Sequence, residues 1–331
     1  MYKRFRKGLA VLAVLASGWC SSSAWALPYS SMVVFGDSLA DSGNNALALG
    51  GAQTPVPLGG PVIPTNPYAS GRYSNGPVWT EYLAGNLGVS ATPSLAGGSN
   101  FAFGGARTGS AGAGQPPGLN DQLGMFLQAT NGVASANALY VIEGGGNDAR
   151  DVMAAVLLGM DPSALISAYA ANVATMIGTL HQAGAEHFLV WNTPDIGLTP
   201  FFRSLGPVAA GAGSHFSGLM NLALAQALAL LSPDITDDLR LFDAYGALNR
   251  IAAAPSANGF ANVADACGAV QGCYNDPAVA KSYLFWDGIH PTTAAHAEMA
   301  RLAQAALPEP GSFVLLLLAG FALIAARRRA V

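Results

Sequence analysis

Charge is scarce in this sequence: Asp, Glu, Lys and Arg make up 10% of its 331 residues, against about a quarter in an ordinary globular protein. With 51% hydrophobic residues, the chain lacks the low hydrophobicity and high net charge that keep a polypeptide disordered. Basic residues are scarcest away from the ends, where residues 27–307 keep 8 of 15 Lys and Arg but 18 of 19 Asp and Glu, a net charge near −10. Such a field repels phosphate backbones and anionic membrane surfaces, and no basic patch with interleaved aromatics offsets it, so nucleic acid is excluded as a partner. No pair of histidines at ligand spacing has a carboxylate or cysteine nearby, so neither a metal nor a cofactor is expected. No period of 20 to 50 residues recurs, which excludes a repeat array.

What is present begins at the two ends. Basic Lys3, Arg4, Arg6 and Lys7, the apolar run Leu9 to Leu15 and small residues ending at Ala24-Trp25-Ala26 read as a secretory signal over residues 1–26, cleaved after Ala26. Cys20 follows bulky Trp19 and lacks the context of a lipidated cysteine. At the other end Pro308-Glu309-Pro310 precedes the apolar stretch Phe313 to Ala326 and then Arg327-Arg328-Arg329. Fourteen apolar residues cover only about 21 Å of a hydrocarbon core ~30 Å thick. This tail, residues 308–331, resembles the PEP-CTERM sorting signal of Gram-negative envelope proteins. The resemblance implies an exosortase-type processing enzyme as a partner and membrane contact only through this segment. The expectation is export across the inner membrane to the periplasm, cell surface or medium. Signal cleavage leaves Cys267 and Cys273, which export would allow to pair in a short loop bracing the approach to Asp287.

Between the ends, apolar β-type runs alternate with stretches of helical period, the pattern of an α/β domain whose mostly parallel sheet is covered on both faces. Strands are expected at Ser31–Phe35, Ser99–Phe103, Ala138–Ile142, His187–Trp191 and Leu239–Phe242. Helices are expected at Val78–Leu87, Asp121–Leu127, Pro162–His181, Ser214–Leu231 and Pro291–Ala306, with Pro291 in a first helical turn. Residues 43–77 form a long loop rich in Gly, Pro and Asn, of the kind that borders a site. The Gly-Ala-Gly pieces near 109–114 and 209–213 read as flexible turns. One domain, 27–307, holds all of these.

Four segments carry chemistry. Phe35-Gly36-Asp37-Ser38-Leu39 puts Ser38 where the chain leaves the carboxyl edge of the sheet, the edge at which open α/β sheets bind ligands. Asp287-Gly288-Ile289-His290-Pro291 offers a carboxylate three residues before a histidine, so one loop can deliver both a base and the group that orients it. Asn100-Phe101-Ala102-Phe103-Gly104-Gly105-Ala106 and Gly144-Gly145-Gly146-Asn147-Asp148 fall at strand ends, where a glycine amide and the Asn147 amide can donate to a developing oxyanion together with the Ser38 amide. Gly104 and Gly105 are both candidates, with Gly105 favoured. Asp37 reads as a structural hydrogen-bonding residue beside the nucleophile, and Arg72 and Asp148 read as structural too. The other histidines, His181, His187, His215 and His296, have no carboxylate three residues before them at such a junction.

These four segments in this order resemble the signature blocks of the SGNH, or GDSL, hydrolases, and the likeness extends through Tyr68 to Trp79 over most of residues 30–306. The resemblance implies a flavodoxin-like three-layer α/β/α sandwich, with Ser38 as nucleophile, Gly105 and Asn147 in the oxyanion hole, Asp287 and His290 as acid and base, and no cofactor. It implies a small-molecule or lipid ester as substrate and leaves open lipids, lysophospholipids, thioesters and acetylated polysaccharides. An acetyl esterase acting on extracellular polysaccharide and a non-catalytic envelope protein on the same fold stay as alternatives.

Overall fold

The computed structural model describes residues 29–50, 68–69 and 71–308; the expected secretory signal, most of the Gly/Pro-rich loop and the expected sorting tail past Pro308 lie outside the described residues. Strands β1 (Ser31–Phe35), β2 (Ala138–Ile142), β3 (His187–Trp191) and β4 (Leu239–Phe242) form one sheet in the order β1-β2-β3-β4, every pair parallel. The sequences SMVVF, ALYVI and HFLVW are nearly continuous apolar runs, as expected of parallel strands buried on both faces.

The alternation of side chains sorts these runs into two cores. Val33, Phe35, Tyr140, Ile142, Phe188 and Val190 point to one face, covered by α3 (Leu119–Ala129), α4 (Gly146–Leu157), α5 (Ser163–Gln182) and α7 (Pro207–Leu228). Met32, Val34, Leu139, Val141, Leu189 and Trp191 point to the other, covered by α2 (Trp79–Leu87), α8 (Ala244–Ala253) and α9 (Thr293–Ala306). The result is an α/β/α sandwich with a parallel central sheet. Two shorter helices, α1 (Asn44–Ala48) and α6 (Pro200–Ser204), lie in connections that follow β1 and β3.

Residues 99–103, expected as a full strand, pair with the free edge of β1 through a single bridge, Val34 to Asn100. The segment keeps three main-chain bonds to β1: Val34 N–H to Ser99 O at 3.0 Å, Phe101 N–H to Val34 O at 2.7 Å and Phe103 N–H to Gly36 O at 3.1 Å. Regular pairing stops because the Asn100 side chain turns back locally: its Oδ1 accepts from the Ala102 amide and its Nδ2 donates to Ala40 O. Counting this segment, the spatial order is second, first, third, fourth, fifth in the chain, the flavodoxin-like order whose direction of winding reverses between β1 and β2.

Other boundaries differ from expectation for local reasons. The glycines at 211 and 213 do not make a turn; they lie inside α7, which starts at Pro207 and lets Gly213 approach Gly197 so closely that a Cβ would meet the Gly197 Cα at 3.0 Å. Pro291 stands outside α9 and bridges Phe285, while Thr292 caps the helix by accepting from the Ala295 amide. Helices α4 and α8 have no counterpart in the sequence reading. A second small parallel sheet, β5 (Asn262–Ala266) with β6 (Tyr283–Phe285), precedes the Asp287 loop. The Cys267–Cys273 disulfide, with a Cα–Cα distance of 5.4 Å, sits just after β5, and the neighbouring Gly268 amide donates to Trp286 O at 2.7 Å. The bridge therefore braces the chain immediately before Asp287.

Candidate active site

The site forms at the point where the winding reverses. Gly36-Asp37-Ser38 leaves the carboxyl end of β1, and Glu143 to Asn147 leaves the carboxyl end of its neighbour β2. Both chains turn sharply there. Gly145 has φ 110° and a Cβ on it would meet Thr193 Oγ1 at 2.3 Å, so only glycine passes between the strand and α4.

Ser38, His290 and Asp287 come together although 252 residues separate the first two. His290 Nε2 lies 2.8 Å from Ser38 Oγ, and His290 Nδ1 lies 2.6 Å from Asp287 Oδ2. A carboxylate only accepts, so Nδ1 carries the proton and Nε2 is left to accept from the Ser38 hydroxyl. All three are nearly closed off, with Ser38 8%, His290 3% and Asp287 1% exposed. The Asp287 carboxylate is fully engaged: Oδ1 accepts from the Ile289 and His290 amides at 2.8 and 2.7 Å, and Oδ2 also accepts from Tyr68 Oη–H at 2.9 Å. The loop is tight because the Trp286 amide donates to His290 O at 2.8 Å. Tyr73 lies beside the imidazole, ring centroids 5.1 Å apart.

The expected oxyanion donors divide unevenly. The Gly104 amide is committed to Asp41 Oδ2 at 2.9 Å. Gly105, with φ 86°, has an amide that no hydrogen bond occupies among the described residues, and the same holds for the Ser38 amide. Gly105 also borders a hollow beside Arg107 and Pro116. Asn147 borders the Ser38 cleft. Its Nδ2 donates to Ala106 O at 2.9 Å and makes a long contact of 3.4 Å to Asp37 Oδ2. The cleft encloses about 760 Å³ including its open mouth, and its walls are largely apolar, among them Leu39, Ile196, Phe202, Leu248 and Met299.

Beneath the nucleophile the structure adds residues that sequence reasoning did not single out. Asp37, read as structural, accepts from the Leu39 amide at 3.0 Å and donates its own amide to Glu143 Oε2 at 3.2 Å. Burial pushes the Asp37 carboxyl up to about 6, and burial together with the Asp37 charge pushes Glu143 well above the usual carboxylate range. Two buried carboxyl groups so close disfavour each other's ionisation. Asp41 gathers the Gly43, Asn44, Asn45 and Gly104 amides at 2.7–3.3 Å, and burial still pushes it up to about 6. His296, on α9, accepts from the Trp79 amide through Nδ1 at 3.2 Å; burial pushes it down to about 3 and keeps it neutral. Arg72 pairs with Glu81, and Asp148 accepts from Thr108, both structural as expected. Only the Asp37 bond to Leu39 and the Asp41 bonds to Gly43, Asn44 and Asn45 had a local signal, a carboxylate two to four residues before the amides it accepts from.

Residues 32–303 match the family model described as GDSL-like lipase/acylhydrolase. The chain is 32% identical over 346 residues to an uncharacterized protein in the trpE-trpG intergenic region of Pseudomonas putida, covering 92% of this chain and 53% of that protein. It is 30% identical over 372 residues to esterase EstA of Pseudomonas aeruginosa, covering 96% of this chain and 52% of that one. The chain thus spans about half the length of these relatives. Among solved structures, Axe2, an acetylxylan esterase from Geobacillus stearothermophilus, is similar at 14% identity over 85% of this chain and 95% of that chain, with a TM-score of 0.40.

Proposed function

Because this chain belongs to the GDSL-like lipase/acylhydrolase family, we propose that it is an exported serine esterase that cleaves carboxylic esters through an acyl-enzyme on Ser38. The observation that carries the reading is the relay of 2.8 Å from Ser38 Oγ to His290 Nε2 and 2.6 Å from His290 Nδ1 to Asp287 Oδ2. Ser38 Oγ attacks the ester carbonyl as its proton passes to Nε2. The imidazolium, stabilised by Asp287, returns that proton to the leaving alcohol. Water entering after the alcohol gives a proton to the same nitrogen and attacks the acyl carbon, releasing the acid and restoring the Ser38 hydroxyl.

The oxyanion takes donors from the Ser38 and Gly105 amides and from Asn147. One Asn147 N–H stays on Ala106 O and fixes the side chain, while the other, with only the long 3.4 Å contact to Asp37, is left for the substrate oxygen. The start of α4 at Gly146 adds the positive end of a helix dipole there. The apolar cleft walls suit an acyl group. The secretory signal and sorting tail support export and processing by an exosortase-type enzyme, and the Cys267–Cys273 bridge suits an oxidising compartment.

The test is hydrolysis of p-nitrophenyl esters from acetyl to palmitoyl by the full chain, with Ser38→Ala alongside. The wild type should turn over at least one ester, and Ser38→Ala should lose roughly four to six orders of magnitude in kcat. Equal rates in the two proteins would end the proposal.

A further inference from the structure

Exposed apolar side chains that the esterase reading does not use stand on the same side of the sheet as Ser38. Helices α5 and α7 each run back from the carboxyl edge of the sheet to the amino edge, because each precedes a strand parallel to β1. Their first turns, with the segments that lead into them, therefore stand on the same rim as Ser38. On that rim Leu157 and Leu158 are each 74% exposed, Met160 55%, Leu205 53% and Val208 86%. Helix α4, which begins at the site and ends at Leu157, packs on both α5 and α7. The helix between them, α6, touches the reaction centre: Thr199 and Phe202 line the cleft, and the Phe201 amide donates to Gly288 O at 2.8 Å in the His290 loop.

Two cations belong to the same rim. Arg150 lines the cleft and Arg203 lies on α6, both exposed, and neither guanidinium makes a hydrogen bond or ion pair among the described residues. Other arginines are engaged: Arg72 with Glu81, Arg107 with Asp151, Arg240 with Asp238, Arg250 with Asp243 and Arg301 with Glu298. Asp161, also on this rim, is turned to cap Ser163 at 3.0 Å. Apolar side chains at the tip with unpaired cations behind them match a phospholipid surface, in which phosphates lie just outside the acyl region.

We infer that this rim seats on a phospholipid surface, so that the cleft takes its ester from an aggregated lipid and not only from solution. The inference rests on the esterase reading for its purpose, though not for its binding geometry. Because residues 27–307 carry a net charge near −10, the preferred surface is zwitterionic.

The test places an environment-sensitive fluorophore on Leu158→Cys and on Val208→Cys of the full chain. Leu230→Cys, exposed at the opposite end of α7, is the control, and the parent chain sets the labelling background. With phosphatidylcholine vesicles, the probes at 158 and 208 should shift to the blue and brighten while the probe at 230 does not, a difference the expected membrane tail cannot produce. The double variant Leu158→Asp/Val208→Asp should hydrolyse vesicle-borne ester about tenfold more slowly, the scale of losing one buried leucine, with p-nitrophenyl acetate hydrolysis unchanged. Arg203→Gln should fall in the same direction by less. No shift at 158 and 208, or an equal shift at 230, overturns the surface. Vesicle-dependent shifts without turnover of any ester would instead overturn the esterase reading and leave the surface standing.

Discussion

The two ends of the central strands differ in kind. Toward the amino ends the chain meets water with polar side chains such as Ser30, His187 and Asp238, partly or fully exposed. At the carboxyl ends the polar side chains are buried: Asp37, Ser38, Asp41, Asn44, Asn45, Glu143, Asn147, Asn192, Thr193 and Asp195 are all closed off. Between the two, Met32 to Phe35 and Ala138 to Ile142 are at most 6% exposed. Burying an apolar side chain stabilises by about 1.5–3 kcal/mol, whereas a buried carboxyl opposes folding unless donors surround it. The middle of the sheet therefore stabilises the fold, and its carboxyl end is a costly polar layer held in place by that stability. Asp37 and Asp41, both pushed up to about 6 by burial, carry this cost most visibly.

A mutation in the middle of the sheet should separate stability from chemistry. Leu139 is fully buried between β1 and β3, and Leu139→Ala should cost about 2–5 kcal/mol in urea unfolding while turnover per folded molecule stays near wild type. A large loss of turnover at full folding would break the division between the two zones. At the carboxyl end the converse is expected. Asn147→Ala should raise the barrier by roughly 2.7–4 kcal/mol, the range for one oxyanion donor, seen as a fall in kcat with KM little changed. Its stability should drop by only about 1 kcal/mol, for the bond to Ala106 O. Near-normal kcat would remove Asn147 from the oxyanion hole and leave it as a brace for the loop after Gly105.

The same division explains what could be read from the sequence. Strands β1 to β3 were legible because a parallel strand covered on both faces is an unbroken apolar run with few other uses, whereas β4, Leu-Arg-Leu-Phe, is a partly exposed edge strand with a weaker signal. Ser38, Asn147, Asp287 and His290 were legible because each follows a strand or opens toward a helix inside a short recognisable block, and the structure brings Ser38, Asp287 and His290 into one hydrogen-bonded relay with Asn147 on the same cleft wall. Glu143 was not, since its role depends on the Asp37 amide, 106 residues away in the chain. Tyr68 and Tyr73 were not singled out either, because nothing local marks an aromatic that finds a carboxylate or an imidazole 219 or 217 residues later. The full length of α7 was missed for a different reason: Gly211 and Gly213 lower intrinsic helix preference, but the close approach of Gly213 to Gly197 favours a small residue at that contact.

Tyr68 offers the finest test of the division, because its hydroxyl reaches into the polar layer while its ring packs outside it. Its hydroxyl donates to Asp287 Oδ2 at 2.9 Å, while its ring packs edge-on against Trp286 with centroids 6.0 Å apart. Tyr68→Phe keeps the ring and removes the donor. Asp287 then retains the Ile289 and His290 amides and His290 Nδ1, so the carboxylate stays satisfied but is freer to rotate about its Cβ–Cγ bond. A hydrogen bond to a charged group contributes about 1.5–3 kcal/mol, and with three donors left the low end applies. The expected result is a fall of about tenfold in kcat with KM unchanged and unfolding within about 0.5 kcal/mol of wild type. If unfolding moved as much as kcat, Tyr68 would belong with the strands as a packing residue. If neither moved, the backbone amides alone would hold Asp287 against His290.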